Sequence, residues 1–257
     1  MWDVLAEVPN GYAIGSRDVH VWMRRLGSPA AHLQAMIEIL APEERQRAER
    51  FHFLADRERH VVGRALARIL LGRLLAIRPD EIAFRYSESG KPSLTSAQNS
   101  ADYQFNVSHS GDFILVAVTA RRAIGVDVER IRNEVELDAI AARFFSQREQ
   151  VDLATVPPDQ RRAAFFACWS RKEAFIKATG AGLGRPLDAF DVSVKPDAPA
   201  MLQETRPDRA EAARWVLRDL DVGPDHKAAV AVEGSGWELK TMDWRPSAPP
   251  GRPQAAS

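Results

Sequence analysis

The run Ile124-Gly-Val-Asp-Val-Glu-Arg130 constrains this chain more than any other stretch. Strict alternation of β-branched residues with others predicts a strand, because successive side chains point to opposite faces. Ile124, Val126 and Val128 take one face. Gly125, Asp127 and Glu129 take the other, with the two carboxylates roughly 7 Å apart at Cα. Like charges on one face of a strand flanked by apolar runs repel, so something opposite must make them tolerable.

The surrounding pattern predicts an α+β fold. Asp18–Leu26 alternates as a strand, Pro42–Phe53 reads as a charged helix, and Arg59–Ile77 carries apolar residues at helical spacing with arginines on the other side. Gln104–Ser108, Phe113–Thr119 and Ile124–Glu129 read as a meander with turns at Ser110-Gly111-Asp112 and Arg121-Arg122. Leu137–Phe145 is helical, and Gln160–Thr179 is a long amphipathic helix stopped by Gly180. Strands are expected at Ala189–Val194, Arg214–Leu220, Lys227–Val232 and Glu238–Trp244.

Both halves run helix, glycine loop with a basic residue and proline (Gly90-Lys91-Pro92; Gly184-Arg185-Pro186), then strands. The expectation is two similar α+β subdomains, 1–122 and 123–245, related by a pseudo-two-fold axis with a ligand cleft between them. Residues 246–257, rich in Pro, Ala and Ser, are expected to be a disordered tail.

Bulk composition narrows the partners. A formal net charge of +0 gives no global field for nucleic acid or an anionic membrane. The single Cys168 excludes an intramolecular disulfide framework and suits a reducing cytoplasm. No apolar run approaches the roughly 18 residues of a membrane span, and the N-terminus lacks the features of a signal peptide. A cytoplasmic protein is expected.

Asp127 and Glu129 admit two readings, solvated carboxylates on an edge strand or a site for a hard cation such as Mg²⁺. A cation site wants a further carboxylate and a phosphate. Trp169, Glu173 and Lys177 stack at i, i+4, i+8 on the long helix. Spacing alone makes Glu173 and Lys177 an ordinary helical pair. Yet Phe165, Phe166, Trp169, Phe175 and Ile176 leave little of that helix for water, and a buried Glu and Lys need partners. Ser108 and His109 point to opposite faces of a strand and cannot form a nucleophile–base pair, and no Gly-x-Ser-x-Gly elbow is present. Gly180-Ala-Gly-Leu-Gly184 follows a helix and reads as a helix-stop loop, not a phosphate loop. The arginines of Pro42–Arg78 alternate with acids and read as a solvated face.

Three segments in order, Gly90-Lys-Pro92 with Asn106-Val-Ser-His-Ser110, then Gly125-Val-Asp-Val-Glu129, then Trp169-Ser-Arg-Lys-Glu-Ala-Phe-Ile-Lys177, together resemble the 4′-phosphopantetheinyl transferases. The likeness is to the broad-specificity, surfactin-synthetase-activating type. Phe144-Phe-Ser146…Glu149 and Pro186-Leu-Asp188 extend it. The resemblance implies a Mg²⁺-dependent enzyme that moves the phosphopantetheine arm of coenzyme A to a serine of an apo acyl or peptidyl carrier protein, releasing adenosine 3′,5′-bisphosphate.

By that likeness Asp127, Glu129 and Glu173 hold Mg²⁺ on the pyrophosphate, and Lys177 contacts phosphate. Arg47, Gly90, Lys91, Pro92, Ser108 and His109 bind coenzyme A, with Lys91, Ser108 and His109 at its 3′-phosphate end. Asp127, Glu173, Lys177 and His109 form the catalytic set. Glu173 or Glu149 would be the general base. Glu44 departs from the pattern, standing where relatives often carry a basic residue; Arg45 or Arg59 would compensate. Both halves of the site lie in one chain, which favours a monomer. Two competing classes are a non-catalytic coenzyme A-binding module and a nucleic-acid-binding protein using the arginine-rich helices; zero net charge weighs against the second.

Overall fold

The computed structural model describes residues 8–9, 11–26, 31–195 and 198–244. The tail expected at 246–257 lies outside these. The first half comprises β1 (Asp18–Arg25), α1 (Ala31–Glu38), α2 (Pro42–Glu49), α3 (Leu54–Leu75), β2 (Phe84–Tyr86), β3 (Pro92–Leu94), β4 (Tyr103–Ser110) and β5 (Phe113–Ala120). The second comprises β6 (Ile124–Arg130), α4 (Leu137–Phe144), α5 (Gln147–Ala154), α6 (Pro158–Thr179), β7 (Phe190–Val192), β8 (Leu202–Thr205), β9 (Trp215–Leu220) and β10 (His226–Glu233). A last strand, β11 (Glu238–Asp243), follows.

The halves repeat one plan. A strand leads to a 22-residue helix, a two-stranded ribbon and two further strands, giving sheet orders β1-β5-β4 and β6-β10-β9. Apolar faces dictate the layering. α3 packs Val62, Leu66 and Leu70 against Trp22, Ile114, Val116 and Val118 of the first sheet. α6 packs Phe175 and Ala178 against Leu217, Ala229 and Ala231 of the second. Between the sheets lies a third core in which Val19, Val21, Leu115 and Ala117 meet Ile124, Val126, Val128 and Val230.

Two expectations change. The meander ends at β5, because β1 and β4 already occupy both of its edges, and β6 starts a separate sheet beside β10. β11 does not stay with the second half. It pairs in parallel with β1, and Trp244, 1% exposed, is buried in the first half's core. The chain boundary near 122 therefore divides the repeat, while the final strand straps the halves together.

Helices α1 and α5 and strands β2, β3 and β8 were not expected. For α5 the signal is present: Ser146 accepts from Glu149 N and Glu149 caps back to Ser146 N, a reciprocal capping box.

Candidate active site

Gly125 sets how closely the long helix approaches the strand. A Cβ at this position would lie 2.1 Å from Ala174 O and 2.3 Å from Ala178 N, so only a residue without one lets the α6 backbone rest on β6. That seating brings Glu173 and Lys177 over Asp127.

Lys177 Nζ donates to Asp127 Oδ1 at 2.6 Å and to Ser108 Oγ at 3.0 Å. Ser108 Oγ donates to the same carboxylate oxygen at 3.0 Å. Asp127 is 3% exposed, and its Oδ2 is buried without a hydrogen-bond partner. Ser110 Oγ donates to Glu129 Oε2 at 2.9 Å. Burial, and then the charge of Asp127, push the Glu129 carboxyl up to about 7. Glu173 is raised by the same two causes in the same order, with Lys177 pulling the other way. Both outer acids thus feel Asp127, and Lys177 lies among them.

Among the described residues, no three Asp, Glu, His or Cys side chains are already gathered as metal ligands. The acidic set named from the sequence is a neighbourhood and not a closed cage, because Ser108 and Lys177 take up Asp127 Oδ1 while Ser110 holds Glu129. Its donor chemistry nevertheless fits a hard divalent cation. It offers carboxylate oxygens, one of them orphaned and buried, and like charges that a dication would relieve.

Glu173 and Lys177 face a cleft of about 730 Å³ running between α3 and α6. Its walls carry five arginines (47, 59, 64, 143, 185) and two lysines (91, 177) against only Glu173 and Asp188 as acids. So cationic a concavity suits a polyanion, although the whole chain is neutral. Val107, Phe144, Ile176 and Pro186 give it an apolar side.

Of the residues named from sequence, Arg47, Gly90, Lys91, Pro92, His109, Glu173 and Lys177 line this cleft. Ser108 lies beneath it, bonded to Asp127. His109 stands on the wall, its imidazole held below the usual range by desolvation and then by Arg59 and Lys177.

Three sequence readings need correction. Lys91 is not aimed at a phosphate: its Nζ donates to Lys177 O at 2.5 Å, Ile124 O at 3.1 Å and Ala178 O at 3.2 Å. All three donors of the ammonium are committed, and burial pulls it down to about 8. Lys91 ties the last turn of α6 to the start of β6. Glu149 is no general base, because its fully buried carboxylate accepts Lys172 Nζ at 2.6 Å on both oxygens and the backbone N–H of Ser146 and Val192. The arginines of α2 and α3 are not one solvated face, since Arg47, Arg59 and Arg64 line the cleft.

The Glu44 departure has a structural cause. Glu44 is 2% exposed, accepts Arg68 Nε at 2.7 Å and caps α2 through Ala41 N. Arg45 is turned to Leu40 O and does not line the cleft, whereas Arg59 does, bonded to Asp56 and Gly111 O. Sequence reasoning missed Arg64 and His60. The Arg64 side chain is 12% exposed, lies over the Tyr86 ring and keeps a buried Nη1 without a partner. His60 is driven down to about 4 by burial and then by the nearby Arg64 and Arg47, so it is neutral, with Nε2 buried and unpartnered. Their four-residue spacing on α3 places both on one face.

Comparison with known proteins gives a consistent result. The family model described as 4'-phosphopantetheinyl transferase superfamily matches residues 123–231, and that described as 4'-phosphopantetheinyl transferase, N-terminal, matches 28–121. The two matches meet where the structural repeat begins again. The 4'-phosphopantetheinyl transferase HetI of Nostoc sp. is 37% identical over 232 residues, covering 90% of this chain and 94% of that protein. A 4'-phosphopantetheinyl transferase of Bacillus subtilis is 35% identical over 212 residues, covering 81% and 90%. The 4'-phosphopantetheinyl transferase Sfp of Bacillus subtilis strain 168 is 32% identical over 199 residues, covering 77% and 84%. With its two halves matched in order and relatives spanning both, the chain belongs to the 4'-phosphopantetheinyl transferase superfamily.

Proposed function

We propose that the cleft takes coenzyme A, with its diphosphate over Asp127 and Lys177, and presents it to the serine of an apo carrier protein. The family reaction, transfer of phosphopantetheine to a carrier protein, supplies the substrate class. One observation supports the reading: Glu173 and Lys177 line a cleft whose walls are strongly cationic, and Lys177 bonds the buried Asp127 beneath it.

In this reading the serine oxygen bonds the phosphorus of the phosphopantetheine arm as the bridging P–O bond breaks. Adenosine 3′,5′-bisphosphate leaves with the charge of that bond, and the serine proton passes to Glu173. In the cation-free fold, burial and then the charge of Asp127 raise the proton affinity of Glu173. Lys177 would stabilise negative charge on the leaving phosphate. Arg47, Arg59, Arg64 and His109 would hold the nucleotide end. Asp127, Glu129 and Glu173 would hold Mg²⁺, which when bound neutralises charge on the diphosphate. Single-chain assembly of both site walls supports action as a monomer. The lone Cys168, buried and unpaired, suits a cytoplasmic setting, and no helix among the described residues is long and apolar enough to cross a membrane.

The test incubates the protein with coenzyme A, Mg²⁺ and a panel of apo carrier domains and measures intact mass. The expected result is a gain of one phosphopantetheine on the carrier's serine, lost when Asp127→Ala replaces the wild type. No gain on any carrier, with folded protein and bound coenzyme A, leaves a coenzyme A-binding module and overturns the transferase reading of this site.

A further inference from the structure

The two sheets meet along β4 and β6, and they do so without a backbone ladder. Side chains of β4 substitute for one. Asn106 Oδ1 accepts the N–H of Val126 at 2.9 Å, Ser108 Oγ that of Val128 at 3.3 Å, and Ser110 Oγ that of Arg130 at 3.1 Å. The constant offset of 20 residues makes the two strands parallel at this seam. Lys91 Nζ continues the row by donating to Ile124 O. The open edge of β6, which would otherwise leave unpaired backbone groups at a buried junction, is therefore closed by the other half of the molecule.

Two members of this row carry a second bond. Ser108 donates its hydroxyl hydrogen bond to Asp127 and Ser110 donates its own to Glu129. In each case the main-chain N–H of residue i+1 of β6 fixes the oxygen in place, and the hydroxyl then reaches back to the carboxylate of residue i. Asn106, which opens the row, faces Val126 and has no such acid to hold. The orientation of the two strand acids is thus set from the opposite half, through a hydroxyl that is itself anchored to the backbone. Ser110 is the informative member, because its hydroxyl has no contact with Lys177, whereas that of Ser108 does. Among the described residues, its only charged partner is Glu129.

From this we infer that Ser110 is a positioning residue, which holds the Glu129 carboxylate in the orientation that serves a divalent cation and so links domain docking to metal binding. The inference rests on the reading of Glu129 as a cation-facing acid given above. An outer-shell hydrogen bond of this kind typically affects metal affinity about 10–100-fold.

The experiment measures Mn²⁺ affinity by electron paramagnetic resonance of the free ion, at saturating coenzyme A, for wild type, Ser110→Ala, Ser110→Thr and Glu129→Gln. Transfer rates are measured at each Mn²⁺ concentration, and the urea midpoint checks folding. Ser110→Ala is expected to weaken Mn²⁺ binding about tenfold and to shift the rate curve to higher Mn²⁺ by the same factor, with the KM for carrier protein unchanged. Ser110→Thr, which keeps the hydroxyl, is expected to restore affinity to within about twofold. A purely structural seam role would lower the urea midpoint of Ser110→Ala while leaving Mn²⁺ affinity untouched; that result, with Glu129→Gln still weakening the ion, overturns the inference alone. Unchanged affinity in Glu129→Gln as well would overturn the reading of the site together with it.

Discussion

Lys177 Nζ lies 2.6 Å from Asp127 Oδ1, joining the last turn and a half of a helix to a strand residue 50 positions earlier. The strand acids do not simply repel across β6, since a lysine from the helix above already offsets part of their charge. Replacing Lys177 with Ala removes the cation proposed to stabilise the leaving phosphate. The expected loss is about 100-fold or more in kcat, with little change in the KM for coenzyme A, as for removal of a charge-stabilising donor. Steady-state kinetics with a carrier domain checks it. A change confined to KM would make Lys177 a ground-state binder.

Gly125→Ala is predicted to lower both stability and activity. The added methyl meets Ala174 O and Ala178 N, backbone atoms that cannot rotate away. α6 must lift from β6, at a cost of about 3 kcal/mol by analogy with overpacked cores. Lifting also carries Glu173 and Lys177 away from Asp127. Urea unfolding together with transfer assays should show the two losses in one variant, whereas Gly184→Ala, with open space around it, should unfold like wild type.

Glu44→Lys installs the basic residue that the family resemblance leads one to expect at this position, yet it is predicted to harm the protein. Arg68 is 1% exposed and would lose its carboxylate partner inside the first core. Breaking a buried pair from one side costs about 3–5 kcal/mol. Thermal unfolding should show the loss, and coenzyme A affinity measured by calorimetry on the folded fraction should not improve.

Glu129 gives a pH signature. Its carboxyl titrates at about 7 in the fold, against an ordinary 4.5. Between those values the folded protein holds a proton that the unfolded chain has released, so by linkage this group favours the fold at low pH, and its contribution falls as pH rises from 4.5 to 7. Glu129→Gln removes the titration. Without divalent ions, the stability of Glu129→Gln relative to wild type should increase between pH 5 and pH 8, and urea midpoints across that range measure it. A difference independent of pH would refute the raised value.

The strand and helix faces of the candidate site could be read in one dimension because they follow local periodicity. Alternation placed Gly125, Asp127 and Glu129 on one strand face, and helical spacing aligned Glu173 with Lys177. The long helices α3 and α6 stand out for the same reason, and so does the Gly180 stop, which adopts a left-handed φ of 72°. Short elements such as β2, β3 and β8 were not visible, since three or four residues carry too little periodicity to separate strand from loop.

Spacing by itself placed an acidic face on one strand and a Glu–Lys face on the long helix of an α+β chain. Only tertiary structure decided which long-range partners those faces meet. It turned Lys91 and Glu149 into structural ties, gathered Arg64 and His60 into the cleft, sent β11 back to β1, and drew Ser108 and Ser110 across the seam to the acids of β6. The reason is physical. Periodicity fixes which face a side chain takes along its own element, whereas its bonding partner depends on how separate elements pack, and a buried donor or carboxylate commits to whatever group that packing brings within reach.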